Sequence, residues 1–293
     1  VSDLVTGIVA LIAAIPAAVA GAYEAERERI LAALDRAKAG LATVRPNAPT
    51  IDEAVRRRLD ELQAWERAGA MTVERGIVCD GSVIPGTEWV LRDSDAWWSW
   101  DSPRDRPDLR TRHGKPATLL VGHWTAGHPR TGPTAGPRVV AAMRGRKRED
   151  GSPMDVSIHF VIGWDGLTWQ TADLSVATVH VGRGVNDRSV GVECCWPGTA
   201  QQAERLGVDG IVERRIVRGR PVQCLRPSDE LIASWTRLAR ALSTPIPGRL
   251  EIPRVTAKQG MPQSGAAEHM HAPTTKVDAA GYLMDALRAD GWR

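Results

Sequence analysis

Only four of the 293 residues are cysteines, Cys79, Cys194, Cys195 and Cys224, and none stands in CxxC spacing. This is neither the density nor the pattern of a disulfide scaffold, so the thiols read as buried and free. Adjacent Cys194 and Cys195 on a strand would point to opposite faces, so no more than one could line a site. Charge of one sign is also scarce. A formal net charge of +3 leaves no nucleic-acid footprint and gives no reason to expect a nucleic-acid partner. There is no Gly-rich phosphate loop, no Ser-His-Asp elbow and no HExxH helix, and no internal repeat or low-complexity tract. With 43% hydrophobic and 25% charged residues, what remains is a globular chain of one sizeable domain plus an extension.

The extension comes first. Residues 4–23, LVTGIVALIAAIPAAVAGAY, carry no charge, and as a helix would reach about 30 Å, the thickness of a bilayer core. Their richness in alanine, Pro16 and the lack of a basic flank keep three alternatives open: a buried or oligomerising helix, a weak membrane anchor, or a cleaved signal. From Glu24 to about Arg75 the pattern is charged and helical. Ile30, Leu31, Leu34 and Leu41 mark one amphipathic helix; after the break at Pro46–Pro49, Val55, Leu59, Leu62 and Trp65 mark a second. Residues 1–75 therefore read as a hydrophobic N-terminal helix and a charged helical hairpin. Residues 76–115 read as a Trp-rich connection whose Trp89, Trp97, Trp98 and Trp100 either stack on sugars or plug the extension onto the domain; packing suits the crowded trio better.

Residues 116–293 hold the chemistry. Thr118–Gly127, TLLVGHWTAG, reads as a buried strand that delivers His123 at its end, just before a small-residue turn. A lone histidine beside a core strand proves little. Near the C-terminus, however, His269, His271, Lys276 and Asp278 lie within ten residues of one another. A catalytic zinc takes three protein ligands from His and Asp or Glu and keeps a fourth position for water; His123, one of the two later histidines and Asp278 would supply that set. Between them, strands are expected at 156–162, 167–170 and 190–195, with helices at 134–146, from Ser228 and over 279–288, and a hairpin around Gly219. The order predicts an α/β domain with a central mixed β-sheet flanked by helices and the metal at the strand ends, preceded by an α-helical N-terminal extension.

Five motifs fall in a known order: His123-Trp124-Thr125-Ala126-Gly127; Ser157-Ile158-His159-Phe160-Val161-Ile162 followed by Asp165-Gly166; His180-Val181-Gly182; Val190-Gly191-Val192-Glu193; and Lys276-Val277-Asp278. With them, residues 116 to about 290 resemble the zinc-dependent N-acetylmuramoyl-L-alanine amidases of the type 2 class, a fold shared with phage amidases and peptidoglycan recognition proteins. Two positions depart from the pattern. Ala279 and Ala280 replace a usual Pro-Gly, and Ile158 stands where some members have Tyr.

The resemblance implies hydrolysis of the amide between N-acetylmuramic acid and L-alanine, with Zn2+ polarising the carbonyl and acidifying water. It implies His123, His269 and Asp278 as metal ligands, Glu193 as general base, and Lys276 beside the oxyanion. Trp124, Thr125, His159, His180 and His271 fall on the substrate side. His269 is preferred to His271 because the family keeps its terminal His somewhat more than seven residues before the Asp, and His269 stands nine before Asp278. The implied partner is bacterial peptidoglycan, whose acidic wall would attract a slightly basic protein, with membrane contact possible through residues 4–23. Action at the cell wall, periplasmic or extracellular, as a phage or prophage lysin made in the host cytoplasm is the matching context. The alternatives are a peptidoglycan-binding protein that has lost catalysis and a different zinc peptidase; the presence of Asp278 favours the enzyme.

Overall fold

The computed structural model describes residues 74–293, apart from 88, 94–96, 99–109, 113–114, 133, 155, 183, 259 and 272–278. The expectations for the hydrophobic segment, the helical hairpin, Trp100, Lys276 and Asp278 lie outside the described residues. Thr72–Arg293 forms one compact unit.

Its spine is a seven-stranded sheet in the order β1-β4-β8-β7-β10-β6-β13. The strands are β1 (Glu74–Arg75), β4 (Val90–Arg92), β6 (Leu119–Trp124), β7 (Phe160–Ile162), β8 (Thr168–Gln170), β10 (Ser189–Cys194) and β13 (Gly265–Glu268). Shorter pairs surround it: β2 (Val78–Cys79) with β3 (Ser82–Val83), β5 (Arg110–Thr111) with β9 (Val176–Ala177), and β11 (Val212–Val217) with β12 (Arg220–Leu225). β6 lies parallel to β10 on one side and β13 on the other; β10 is parallel to β7, which is antiparallel to β8. The sheet is mixed, as the sequence order predicts.

All six residues of β6 are buried, which requires cover on both faces. The register shows what each face holds. Leu119, Val121 and His123 share one face with Ser189, Gly191 and Glu193 of β10 and Ala267 of β13. Leu120, Gly122 and Trp124 share the other with Val190, Val192 and Cys194, and with Ala266 and Glu268. On the second face pack helices α3 (Asp229–Leu242) and α4 (Tyr282–Ala289), whose Leu231, Trp235, Leu238, Leu242, Leu283 and Leu287 join Leu120, Val190 and Val192 in the main core. α3 starts where Pro227-Ser228 predicts: the Ser228 hydroxyl accepts the Leu231 N–H at 3.1 Å. Gly122 is needed for this packing, since a Cβ there would stand 2.3 Å from Leu283 Cδ1. Helix α1 (Ala135–Arg144) covers the other side of β7 and β8, with Gly136 against the Trp169 ring; α2 (Ala200–Arg205) packs on β12.

Two sequence expectations change. Residues 76–115 are no mere connection, because β4 within them, with β1 beside it, extends the main sheet, and the Gln170 side chain bonds both Val78 N (2.6 Å) and Val78 O (2.8 Å). Trp98 is fully buried under the Arg144 guanidinium, 4.6 Å from its ring, which is packing rather than sugar stacking. The C-terminal helix begins at Tyr282 instead of Ala279, because Ala279, Ala280 and Gly281 take left-handed conformations with φ of 64°, 47° and 88°.

Candidate metal centre

His123 is placed by β6 and His269 by the end of β13, one strand away. A 3₁₀ turn, His269–His271, follows β13 directly. This turns the His269 ring across to His123, and the two Nδ1 atoms face each other at 3.1 Å with both residues 4% exposed. His271 goes elsewhere. Its Nδ1 lies 3.0 Å from the Glu268 backbone N–H, which it accepts. The two rings diverge because a 3₁₀ turn advances about a third of a turn per residue.

On the far side of His123, Nε2 lies 2.9 Å from His180 Nδ1, and His180 Nε2 lies 2.9 Å from Ser189 Oγ. Burial, then the neighbouring His123, holds His180 well below the usual imidazole range, so the ring is neutral. A metal on His123 Nδ1 requires that nitrogen to be unprotonated; in that tautomer His123 Nε2–H donates to His180 Nδ1 and His180 Nε2–H donates to Ser189 Oγ. The Nδ1 atoms of His123 and His269, placed face to face, are held together by one proton or by one cation. Nitrogens bound to one tetrahedral zinc at about 2.0–2.1 Å stand about 3.3 Å apart, so the pair fits zinc with almost no movement. Among the described residues no three His, Cys, Asp or Glu side chains converge on one point.

Glu193 sits directly beside His123 on β10, on the same face, and is 7% exposed. The site thus places a carboxylate next to the imidazole pair at the C-terminal ends of parallel strands, where α/β sheets present ligand sites.

His159, expected beside substrate, is fully buried. Its Nε2 donates to Val176 O at 2.8 Å, and its Nδ1 accepts from Thr178 Oγ1 at 2.9 Å and Gly191 N at 3.1 Å. Burial, then the adjacent Arg112 guanidinium, pushes it down to about 3. It fixes the wall behind His180. Trp124 is corrected for a reason already in the strand: period two turns it away from His123 into the core, edge-on to Trp196 at 4.9 Å. Thr125 follows β6, accepting the Trp196 N–H at 3.3 Å, and stays half-exposed near the strand end. His180 acts on His123 through the bond described above.

Several partners were not singled out from the sequence. Asn186 Oδ1 accepts the backbone N–H of His180, Val181 and Gly182 at 2.9–3.2 Å and so shapes the His180 loop. Arg112, buried and lowered to about 10 by desolvation, donates to Leu174 O, Asp187 O and Ser189 O. Glu268, fully buried, accepts N–H groups at the start of α4. Desolvation raises its carboxyl to about 7 against the lowering pull of those bonds. Asn186 and Ser189 follow a Gly-rich stretch after a histidine, a weak signal; Arg112 and Glu268 had none. All four cysteines are buried and free, as expected.

Two buried imidazoles facing across adjacent parallel strands, with an acid beside them, form the candidate site of this α/β domain. The sequence profile of the N-acetylmuramoyl-L-alanine amidase family matches residues 113–278, more than half of the chain, and the chain belongs to that family. Among solved structures it is similar to a selenomethionine derivative of AmpD, at 20% identity and a TM-score of 0.40, covering 62% of this chain and 89% of that one. It is also similar to the amidase LysC from Clostridium intestinale URNW, at 14% identity and a TM-score of 0.36 (66% and 92% covered). The Drosophila peptidoglycan recognition protein SA gives 14% identity and a TM-score of 0.39 (63% and 85% covered). No curated protein sequence matches the chain.

Proposed function

We propose that the chain is a zinc-dependent amidase that cleaves the bond between the lactyl group of N-acetylmuramic acid and the L-alanine of the peptide stem. The observation that carries this is the His123–His269 pair, Nδ1 to Nδ1 at 3.1 Å beside Glu193, inside the segment that matches the amidase family. His123 and His269 hold the metal through Nδ1, and Asp278 is the third ligand. A bound zinc supplies Lewis acidity, polarising the scissile carbonyl and acidifying water at the reacting centre. His180 and Ser189 keep His123 in the tautomer that offers Nδ1. Glu193 takes the proton of the attacking water and returns it to the leaving amine nitrogen. Lys276 stabilises the charge that develops on the carbonyl oxygen. Thr125 and His271 would contact the substrate.

The setting belongs to the same proposal: action at the bacterial cell wall as a phage or prophage lysin, with residues 4–23 touching the membrane. Family membership supports action on peptidoglycan, and the uncharged stretch is the observation behind the membrane contact.

Elemental analysis tests the mechanism. The expected result is about one zinc per chain, with chelation stopping the release of stem peptides and zinc restoring it. Metal-free protein that still releases stems would overturn it. Protein that binds walls and releases nothing at any zinc level would instead indicate a binding protein on this fold.

A further inference from the structure

Glu268 and His269 are neighbours in sequence and face opposite ways. His269 turns to His123, whereas Glu268, at the end of β13, points through the sheet into the core beneath α4 and is fully buried. Its Oε2 accepts the Gly281 N–H at 2.6 Å, and its Oε1 accepts the N–H groups of Leu283 at 2.9 Å and Met284 at 3.2 Å. One carboxylate thus joins the residue before His269 to the first turn of a helix thirteen or more residues later. That turn is strained. Ala279, Ala280 and Gly281 are all left-handed, two of them with a Cβ, and such conformations persist only where surrounding contacts over-determine them. Arg215 adds a second hold: its Nε donates to Ala280 O at 3.2 Å, its guanidinium pairs with Asp285, and it lies 4.4 Å from the Tyr282 ring.

We propose that Glu268 is a positioning residue for the metal centre, fastening the strand end that carries His269 to the first turn of α4 so that His269 meets His123 in one geometry. The inference rests on the metal reading given above. The carboxylate acts from the far face of the sheet and touches neither metal nor substrate. A helix cap alone would need no such link; here the cap and the His269 strand end are the same residue. Replacing Glu268 frees α4 and the turn from β13 at once.

Cobalt(II) and zinc binding to the full chain test this. The cobalt absorption spectrum reports coordination geometry, and competition with a chromophoric chelator reports affinity. Glu268→Gln is expected to bind zinc roughly 10- to 100-fold more weakly, the range typical of outer partners of metal ligands, with an altered cobalt spectrum. Adding Ala280→Gly, which takes the left-handed conformation without strain, is expected to restore part of that affinity. A Glu268→Gln protein of lower thermal stability but wild-type affinity and spectrum overturns the inference and leaves Glu268 a cap. Wild-type protein that takes up no metal overturns the metal reading, and this inference with it. Should Glu268→Gln not fold, Arg215→Ala, which releases the same turn from its half-exposed side, is measured instead; several-fold weaker binding supports the inference and unchanged binding overturns it.

Discussion

At the residue scale, the site turns on which imidazole faces His123. His269 does so at 3.1 Å while His271 is turned onto Glu268, so His269→Ala should lose zinc and His271→Ala should keep it. Metal lost only from the second variant would reverse the assignment. Glu193→Ala should keep zinc and lose turnover about a hundredfold or more, as removal of a general base does; loss of metal would instead make Glu193 a ligand. His159 gives a pH signature. Its folded-state value near 3 lies below the usual 6.5, so the unfolded chain binds the extra proton between those limits, and stability falls as pH drops below about 6.5. At about 1.4 kcal/mol per unit, this amounts to about 3 kcal/mol by pH 4. Denaturant titrations should therefore show the stability gap between wild type and His159→Asn narrowing over that range; a constant gap would refute it.

At the element scale, β6, β10 and α3 were legible because their residues carry strong local signals: apolar runs ending in His123 and Glu193, and a Ser cap before leucines at helical spacing. The hairpin β11–β12 was equally plain, with Arg218 and Gly219 both left-handed in its two-residue turn. Trp124 could have been read correctly from the alternation that points His123 into the site. β13 could not, since Gly-Ala-Ala-Glu has little strand preference and is a strand only because it pairs with β6. The same holds for the edge strand β1 and its neighbour β4, short strands whose pairing is decided by the rest of the sheet. Gly191 shows how an element serves the site: a Cβ there would stand 2.7 Å from the His180 ring. Gly191→Ala should push His180 off His123 and weaken zinc binding about tenfold or more, measurable by chelator competition; unchanged affinity would show that His180 does not orient His123.

At the scale of the whole molecule, the compact unit beginning at Thr72 marks where the enzyme can be cut without losing β1. A chain starting there should match the full chain on purified walls, while the full chain alone partitions to membranes if residues 4–23 contact them. Equal partitioning would remove that role. The family and the mixed sheet were readable because the motifs fall in order on successive strands; the sheet edge and the Glu268 link were not, because they depend on contacts between distant segments. The most direct measurement of the central claim is mass spectrometry of peptidoglycan digested by the purified chain. The account predicts intact peptide stems bearing a free L-alanine amine, and glycan strands with bare muramic acid. Stem remnants left on muramic acid would contradict it.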